Sequence, residues 1–509
     1  MMNDLTIIPS TNAVLPATPF HGRHLIDGTW QDSRDGATFD RLSPSHGVVV
    51  SRSAKASITE AEAAISAARR AFDDGRWSAL SGKARAKVLL RVADLIEANV
   101  DRMALLETLE SGKPISQAKG EVEGSADLWR YAAALARTLH GDTHNTLGAD
   151  MLGVVLKEPV GVVAIITPWN FPIWILSQKL PFALAAGCTC VVKPSEMTPS
   201  TTVMLGELLI EADLPPGVVN IVLGYGQPVG ALMVEHADVD MVTFTGSTAT
   251  GRHIASAASA TLKKCALELG GKNPQVIFPD ADLESAADAV TFGTYFNAGE
   301  CCNAGSRIIV HEDIAEDFVA RLVALSRLVA FGDPLHPDTQ VGALISLDHQ
   351  KKIEGHIRAA EAAGATVRLG GSTLKIPGLA GHFYQPTVVS GISPDMPIAK
   401  DEVFGPVLSV LTFRTEDDAI RLANDASYGL SAGVWSSNVH TCLTFARKVQ
   451  AGTIWTNTWM DGFPEMSFGG FKQSGQGREL GRYGVEEFLE VKTVTMRIGR
   501  TRTPWVKAR

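Results

Sequence analysis

The strongest constraint on the fold is an alternating pattern that begins near Val160. Short runs of apolar, often β-branched residues alternate with longer amphipathic stretches, which predicts strands followed by helices. This first series predicts strands at 160–166, 189–193, 218–223, 239–244 and 264–269, with helices at 173–186, 201–212, 228–236 and 248–260. Strands separated by helices pair in parallel, and helices then cover both faces of the sheet. The sequence therefore predicts an α/β protein.

A second series of the same kind begins after Pro274. Its predicted elements are a strand at 275–278, a helix before Cys301, a strand at 307–311, a helix at 314–328 and a strand at 452–456. Ahead of the first series, 58–72 and 84–108 have the spacing of long amphipathic helices. The segments 143–158 and 488–497 have strand character but flank the α/β units, so we expect them to form an arm that pairs with another subunit.

Composition excludes several classes of function. The 509 residues are 45% hydrophobic and 20% charged, which is typical of a folded chain with more than one domain. A formal net charge of -9 argues against a nucleic-acid partner, because such partners require clustered Lys and Arg. No apolar run is long enough for a membrane span, and the N-terminal stretch has no basic segment of the kind that opens a signal peptide. We expect a cytoplasmic enzyme or binding protein with no membrane partner.

The cysteines indicate a reducing compartment and no metal. Six cysteines in a chain of this length do not make a dense disulfide framework, and two of them are adjacent. Cys188 and Cys190 lie two residues apart in an apolar run, where packing is the better interpretation because no cluster of Cys and His completes a metal site.

Three polar residues are candidates for chemistry. Cys302, in Gly299-Glu300-Cys301-Cys302-Asn303-Ala304-Gly305, lies on a predicted turn and is either a nucleophilic thiol or ordinary packing. Glu268 ends a predicted strand, where it is either a general base or half of a structural ion pair. Asn170, between Pro168 and Pro172, is either an oxyanion donor or a capping residue in a rigid turn.

Other strand ends carry candidates for nucleotide binding. Lys193-Pro194-Ser195-Glu196 places a cation and a carboxylate where ribose hydroxyls could be bound. Phe244-Thr245-Gly246-Ser247 puts small residues at a predicted helix N-terminus, where backbone N–H groups can meet a pyrophosphate. The glycines 224, 226 and 230 approach the dinucleotide fingerprint but do not have its spacing.

Taken together and in order, these segments resemble the NAD(P)-dependent aldehyde dehydrogenase superfamily, over about 25–494 of the chain. The motifs that carry the resemblance are Pro168-Trp169-Asn170-Phe171-Pro172, Lys193-Pro194-Ser195-Glu196, Phe244-Thr245-Gly246-Ser247, Leu267-Glu268-Leu269-Gly270-Gly271-Lys272, Cys302-x-Ala304-x-x-Arg307, Glu402-Val403-Phe404-Gly405-Pro406 and Phe468-Gly469-Gly470-Phe471-Lys472. The resemblance implies a Rossmann-type cofactor domain (21–142 and 162–271), an α/β catalytic domain (272–483) and a β oligomerisation arm (143–161 and 484–503).

The resemblance also implies the role of each site residue. Cys302 matches the nucleophile, Glu268 the general base and Asn170, with the backbone N–H of Cys302, the oxyanion hole. The residues expected at the cofactor are Ile166, Thr167, Pro168, Trp169, Lys193, Ser195, Glu196, Gly226, Gly230, Phe244, Thr245, Gly246, Ser247, Gly270, Glu402 and Phe404. Among these, Lys193 and Glu196 match residues that hold the adenosine ribose and Glu402 one that holds the nicotinamide ribose, while Phe404 matches a packing surface for the nicotinamide. Glu479 has a structural or proton-relay part.

The implied reaction is oxidation of a small aldehyde to an acid by way of a thioester on Cys302, in a homo-oligomer that is a dimer or a tetramer. NAD is expected, with NADP as an alternative, because Glu196 would repel a 2′-phosphate. Candidates for an aromatic substrate tunnel are Trp174, Phe296, Trp455, Trp459 and Phe463, with Gln178 in its wall; ordinary core packing is the alternative for each of these aromatic residues. Similarity to bacterial betaine aldehyde dehydrogenases around 457–466 adds betaine aldehyde or an aminoaldehyde as a hypothesis. The competing interpretations are an inactive crystallin-like protein and a thiol esterase.

The sequence departs from the family's common pattern at three positions. Glu300 stands where Gln is usual, so a second acid is expected near the thiol and could change its ionisation. Ser467 replaces a frequent Pro, and Arg482 stands where an acid is common.

Overall fold

The computed structural model describes residues 5–13, 15–499 and 505–506. Its first large sheet has eight strands, and five of them are parallel neighbours. In spatial order the strands are Gly475–Gln476, Lys264–Glu268, Met241–Thr245, Val162–Ile166, Thr189–Lys193, Val219–Ile221, His24–Ile26 and Thr29–Gln31. Val162–Ile166 comes first in the chain among the five parallel strands and lies in the middle of them. The later strands are added on both sides of it. This order creates a crevice between the carboxyl ends of Val162–Ile166 and Met241–Thr245, where α/β sheets bind ligands.

Helices cover both faces of this sheet. Its helical elements are Ile58–Asp73, Gly82–Ala98, Val100–Ser111, Ile115–Thr138, Pro172–Ala186, Ser200–Glu211, Ala231–Glu235, Thr248–Ala258 and Ser259–Thr261. The predicted strand and helix series from 160 to 269 is confirmed with small changes in bounds. The predicted helix 228–236 is instead a wide helical turn, Gly226–Gly230, followed by the short helix Ala231–Glu235.

The second large sheet has seven strands, of which only the edge strand Thr366–Leu369 runs antiparallel among the described pairs. The others, in order, are Thr387–Ser390, Val407–Phe413, Arg307–His311, Pro274–Ile277, Ser431–Trp435 and Thr453–Thr456. Its helical elements are Leu283–Tyr295, Phe296–Gly299, Glu312–Ile314, Ala315–Leu328, Leu347–Ala362, Pro397–Lys400, Glu416–Asn424 and Val439–Lys448. The short helix Gly481–Glu486 packs instead against helices Ile115–Thr138 and Pro172–Ala186 of the first sheet. The α/β class with parallel sheets is therefore confirmed.

A separate antiparallel sheet contains the segments predicted as an arm. Leu489–Arg497 pairs along its whole length with Met151–Pro159, which also pairs with Asp142–His144. The strand character of both segments is confirmed, although a turn interrupts the first. The pairing of the arm with another subunit and the domain boundaries stay predictions, and residues 500–503 of the predicted arm lie outside the described residues.

Small sheets complete the described fold. They are formed by Phe20–Gly22, Val49–Ala54 and Thr38–Leu42, by Ile7–Ile8 with Phe331–Gly332, by Thr373–Leu374 with Phe383–Tyr384, and by Tyr428–Gly429 with Phe471–Lys472. Among the described residues no helix has both the length and the apolar character required to cross a bilayer.

The predicted helix 84–108 is wrong as a single element. It divides into Gly82–Ala98 and Val100–Ser111 at Asn99, whose side-chain amide donates to Leu95 O at 2.9 Å. An Asn that bonds the last carbonyls of a helix competes with continuation of that helix. The hydrophobic spacing is preserved across the break, which is why the pattern did not reveal it.

The helix Ile115–Thr138 was not singled out by the sequence, although it has 24 residues. Glycines in its first half weaken the helical signal, since each costs about 1 kcal/mol relative to Ala in a helix interior. Packing explains one of them: a Cβ at Gly124 would lie 2.5 Å from the ring of Trp174. Close approach of this helix to Pro172–Ala186 therefore requires a residue that local propensity disfavours.

Trp129 provides a test of this packing. Its side chain is fully buried and its Nε1 donates to Ser177 Oγ at 3.2 Å. Trp129→Ala should reduce the free energy of unfolding by about 3–5 kcal/mol, because it leaves a cavity between the two helices. The midpoint of denaturant-induced unfolding measures the loss. The matched change Trp505→Ala, at a side chain that is 92% exposed, should leave that midpoint in place, and equal effects of the two changes would contradict the packing role.

Candidate active site

Asn170 and the Cys302 segment are joined by hydrogen bonds from side-chain amides to main-chain carbonyls. Asn170 follows the central strand Val162–Ile166 of the first sheet, and its Nδ2 donates to Glu300 O at 3.0 Å. Asn297 Nδ2 donates to both Asn170 O and Glu300 O, at 3.0 and 3.2 Å. The structure therefore brings the predicted oxyanion donor against the turn that carries the predicted nucleophile, although the two are far apart in sequence.

Cys302 and Glu268 line one cavity of about 560 Å³. Its wall is mostly apolar and aromatic. It includes four of the five predicted tunnel aromatics, Trp174, Phe296, Trp455 and Phe463, together with the predicted Gln178. Side chains that sequence reasoning did not select, Phe171, Phe292, Met460 and Phe468, also contribute, as do Glu121 and Glu479.

The prediction that Trp459 lines the tunnel is wrong. Trp459 is 4% exposed and fills the space beside three glycines, so that a Cβ at Gly293, Gly305 or Gly433 would lie within 2.8 Å of its ring. It belongs to the core beside strand Ser431–Trp435. The sequence could not separate a tunnel-wall tryptophan from a core tryptophan. Trp455 and Trp459 lie in the same segment, and only their packing in the structure distinguishes them.

The two adjacent cysteines differ in access. Cys301 is buried and its Sγ donates to Asn303 Oδ1 at 2.8 Å, whereas Cys302 is half-buried at the cavity wall. The hydrogen bond to the Cys301 side chain, burial and the carboxylate of Glu402 all raise the pKa of the Cys302 thiol well above its ordinary value. Because the thiolate is the nucleophile, a thiol with a raised pKa needs a base to take its proton.

Glu268 is placed to be such a base. It is 5% exposed at the end of strand Lys264–Glu268, and its Oε2 has no hydrogen-bond partner within the described part of the chain. Burial and the negative charge of Glu479 raise the pKa of Glu268 well above its ordinary value, and Lys179 opposes that shift. A carboxyl group with a raised pKa can accept a proton near neutral pH.

Behind Glu268 lies a buried ion pair between Lys179 and Glu479. Lys179 Nζ also donates to Thr243 Oγ1 at 3.1 Å. The Gln178 amide is placed to donate to Glu479 Oε2 at 3.2 Å and to accept from Trp174 Nε1 at 3.0 Å. This network connects the Glu268 side of the cavity to its aromatic wall.

A second cavity of about 450 Å³ lies at the crevice of the first sheet. Thirteen of the predicted cofactor residues line it: Ile166, Thr167, Pro168, Trp169, Lys193, Ser195, Glu196, Gly226, Gly230, Phe244, Thr245, Gly246 and Ser247. Thr245 lines both cavities, so the groove and the tunnel meet at the end of strand Met241–Thr245. Sequence reasoning missed the apolar side of the groove, formed by Val234, Ile254 and Ala257, which a helix-face pattern could have identified.

The chemistry of this groove fits a dinucleotide. Thr167 Oγ1 and Thr245 Oγ1 are buried at its wall without a hydrogen-bond partner among the described residues. The helix Thr248–Ala258 presents its N-terminus to the groove, with Ser247 as the N-cap. A Cβ at Gly226 would meet no atom within 4 Å, so any larger residue would project into open space at the groove. Such a site offers donors and room for phosphates.

Lys193 and Glu196 form a buried cation and a carboxylate at one end of this groove. Lys193 Nζ donates to Pro194 O and Gly224 O, at 2.8 and 3.1 Å, and lies 3.9 Å from Glu196 Oε2. Burial lowers the pKa of Lys193 to about 8, and Glu196 opposes the shift.

The three remaining predicted cofactor residues lie outside this groove, nearer Cys302. Glu402 Oε1 accepts from Gly271 N at 2.9 Å, and a Cβ at Gly270 would lie 2.5 Å from Glu402 Oε2. Burial raises the pKa of Glu402 to about 7. The Phe404 ring packs edge-on to Trp169 at 5.6 Å, and Trp169 itself lines the groove.

Glu300 does not direct its carboxylate at Cys302. Its Oε1 accepts from Ile345 N at 3.0 Å and lies 3.6 Å from His349 Nε2. Burial raises the pKa of Glu300, whereas Lys113 and Arg41 oppose the shift. Arg482 is exposed and pairs with Glu486 at 2.8 Å, whereas Ser467 directly precedes Phe468, which lines the cavity.

Comparison with known proteins identifies this arrangement. The model of the family described as "Aldehyde dehydrogenase family" matches residues 30–494. The chain belongs to the aldehyde dehydrogenase family. It is therefore an aldehyde-oxidising enzyme, which confirms the predicted family and reaction class and disfavours the inactive crystallin-like alternative.

Individual relatives agree with this assignment. The chain is 42% identical to betaine aldehyde dehydrogenase from Bacillus subtilis over 470 residues, which cover 92% of this chain and 96% of that one. It superposes with a TM-score of 0.96 on an NAD-dependent aldehyde dehydrogenase from Sinorhizobium meliloti, at 49% identity over 98% of this chain and 99% of that one. A betaine aldehyde dehydrogenase from Staphylococcus aureus in complex with NAD+ gives a TM-score of 0.93 at 40% identity, over 96% of this chain and 97% of that one.

The raised pKa of Cys302 predicts the pH dependence of its alkylation by iodoacetamide. Because only the thiolate reacts, the rate at Cys302 should still be rising at the ordinary thiol pKa of about 9. Glu402→Gln removes a negative charge that raises this pKa, so the midpoint of the profile should move to lower pH. Tandem mass spectrometry of the labelled peptide separates label on Cys302 from label on Cys301 and measures the rate with Cys301 in place. An unchanged midpoint in Glu402→Gln would contradict the claim that the charge of Glu402 raises the pKa of Cys302.

Proposed function

We propose that this aldehyde dehydrogenase oxidises a small aldehyde to a carboxylic acid with NAD, using Cys302 as nucleophile, Glu268 as general base and Asn170 as oxyanion donor. The meeting of the two cavities at Thr245, with Cys302 and Glu268 in the wall of one of them, is the observation that carries this proposal. A half-buried thiol and a buried carboxyl group with a raised pKa then face one substrate space beside a dinucleotide groove.

NAD fits the groove, and the Sinorhizobium and Staphylococcus enzymes support it as the cofactor. Lys193 and Glu196 would hold the adenosine ribose, Gly246 and Ser247 the pyrophosphate, and Glu402 and Phe404 the nicotinamide end. When bound, NAD supplies the acceptor for the hydride that leaves the substrate carbon. Glu196 favours NAD over NADP, because its carboxylate at the groove would repel a 2′-phosphate.

The side chains supply the remaining steps. Glu268 takes the proton of the Cys302 thiol, and the sulfur then forms a bond to the aldehyde carbon while Asn170 Nδ2 and the backbone N–H of Cys302 donate to the developing oxyanion. After loss of hydride the substrate is a thioester of Cys302. Glu268 passes this proton to solvent and then removes a proton from water, which attacks the thioester carbonyl. The C–S bond breaks to release the acid, and the sulfur takes the proton from Glu268 to restore the thiol. A donor such as Asn170 is typically worth about 10²- to 10³-fold in rate.

Glu268→Gln tests the assignment of the base. The substitution keeps size and hydrogen-bonding capacity but removes the group that activates water. Because Glu268 takes the thiol proton before it activates water, the rate of the NADH burst and the steady-state turnover should both fall, the turnover by about 10²-fold or more. Stopped-flow absorbance of NADH, followed by mass spectrometry of the acylated Cys302 peptide, measures both phases.

The control for this experiment is Glu62→Gln, at an exposed position of helix Ile58–Asp73, which should leave both phases unchanged. Wild-type turnover in Glu268→Gln would refute the base assignment. A burst of NADH at the wild-type rate followed by slow turnover would instead show that Glu268 acts only after thioester formation.

A cationic substrate is the second candidate within this chemistry. The described residues that line the tunnel include no Lys or Arg, and two of its acids, Glu121 and Glu479, are each paired with a buried lysine outside this lining. The aromatic faces of Trp174, Phe296 and others surround the same space, and such faces attract quaternary ammonium groups by about 0.5–2 kcal/mol. The betaine aldehyde dehydrogenases of Bacillus and Staphylococcus support this substrate class.

Comparing betaine aldehyde with its neutral isostere, in which carbon replaces the quaternary nitrogen, isolates the charge. If the tunnel selects the cation, kcat/KM for betaine aldehyde should exceed that of the isostere by about three- to thirtyfold, as a cation–π interaction predicts. Steady-state NADH formation with each aldehyde measures the ratio. Equal values would remove the cationic hypothesis and leave the aldehyde oxidation itself intact.

We further infer that the protein is a cytoplasmic homo-oligomer, a dimer or a tetramer, in which the arm contacts a second copy. The exposed apolar side chains of Leu147, Val491 and Ile498 at the arm support this, because isolated sheets do not usually leave such groups in water.

A further inference from the structure

A third cavity, of about 430 Å³, lies where the arm joins the helices of the first sheet. The first turn of helix Gly82–Ala98, the last turn of helix Ile115–Thr138 and the strand Met151–Pro159 contribute to its wall. None of its lining residues also lines the substrate tunnel or the dinucleotide groove. We call it the basic recess, after its side chains Lys83, Arg85, Arg137, His140 and Lys157.

The basic recess has an excess of positive charge. Its described lining contains these five basic side chains and no Asp or Glu. Lys157 is compensated, because its Nζ lies 2.6 Å from Glu486 Oε1 behind the wall. Neither Lys83 nor Arg137 forms an ion pair with a described residue. Cations gathered in one concave site without counter-charges attract anions from solution.

Arg85 is held in place by the main chain and keeps donors free. It is half-buried, its Nε donates to Ala185 O at 3.2 Å, and its Nη1 donates to Leu80 O at 2.6 Å. Its Nη2 donates to no acceptor within the described part of the chain, and no described carboxylate pairs with the guanidinium. Burial lowers the pKa of Arg85, since the charged group has lost water without gaining an anion.

Backbone packing places Lys83 and Arg137 on neighbouring turns. A Cβ at Gly82 would lie 2.1 Å from Ala136 O, so the two helices meet main chain to main chain at that point. Gly82 directly precedes Lys83, and Ala136 directly precedes Arg137. The fold therefore brings two cations from different helices to one side of the recess. A site that is already assembled avoids the cost of ordering its groups when the ligand binds.

We propose that the basic recess binds a doubly charged phosphate group, with Arg85 and Arg137 as guanidinium donors and Lys83 as the ammonium donor. Guanidinium groups match the spacing of phosphate oxygens, and lysine adds a point charge. Two negative charges and several acceptor oxygens answer three unpaired cations better than a single carboxylate does. The volume leaves room for an organic group, so the phosphate is either free or part of a monoester.

Isothermal titration calorimetry of the full-length protein with inorganic phosphate tests the site, with ionic strength held constant by chloride. Lys83→Gln and Arg137→Gln should each raise the Kd for phosphate by about tenfold, the usual worth of one hydrogen bond between charged groups. Arg137→Lys keeps the charge but not the planar fork, so its Kd should lie between those of the wild type and Arg137→Gln.

Lys87→Gln is the matched control. Lys87 is exposed one turn further along the same helix and does not line the recess, so its removal changes the net charge equally. The Kd for phosphate should stay at the wild-type value in this variant. Equal effects of Lys83→Gln and Lys87→Gln would show general attraction to the surface and would overturn the proposal.

Two further titrants identify the source of the phosphate group. Tighter binding of glycerol 3-phosphate than of inorganic phosphate supports the site and assigns it to a phosphorylated metabolite, whereas equal binding supports it as a site for free phosphate. Succinate carries two negative charges on carboxylates. If succinate binds as tightly as either phosphate compound, the recess is not selective for phosphate and the proposal is wrong.

The remaining outcomes also decide the matter. Absence of phosphate binding to the wild-type protein overturns the proposal, whatever the result for aldehyde oxidation, because the recess is separate from the active site. Sedimentation velocity of the same variants detects the other possible occupant, an acidic side chain of a second copy. A changed oligomeric state in Lys83→Gln with an unchanged Kd for phosphate would overturn the phosphate site and assign the recess to that contact.

Discussion

Parallel pairing of the strands around Val162–Ile166 is the constraint on which the site depends. Because these strands point the same way, the loops that follow them meet at one edge of the sheet. Asn170, Lys193 and Glu268 each follow or end such a strand. The chain reverses its strand order at this edge, so the crevice for a dinucleotide and the end of the substrate tunnel share one residue, Thr245.

Burial of charge gives these groups their reactivity. A carboxyl group removed from water and placed near Glu479 holds its proton more tightly, which makes Glu268 a usable base. The ion pair of Lys179 and Glu479 limits that effect, since a fully unpaired charge would be far too costly to bury. The same physics raises the pKa of Cys302, so the nucleophile and its base belong to one coupled system.

Sequence patterns predicted the α/β series well, because each element depends on spacing that repeats locally. They did not find the break at Asn99 or the helix Ile115–Thr138, where side-chain bonding and a glycine required by Trp174 override propensity. At the site, the motifs selected Cys302, Glu268 and Asn170, and the structure places two of them at one cavity and the third against the same turn. Trp459 was misplaced because a tunnel aromatic and a core aromatic differ only in their distant neighbours.

Seven short motifs in a fixed order determined the family and the class of reaction from the sequence alone. The motifs specify which side chains are available for chemistry, and this can be read without knowing where those side chains lie. Tertiary structure decided where each group points and how it ionises. Glu300 is adjacent to Cys301 in the chain, but its carboxylate points to the start of helix Leu347–Ala362, where it accepts from Ile345 N. Direction and desolvation arise from contacts between residues far apart in sequence, and local patterns carry no information about them.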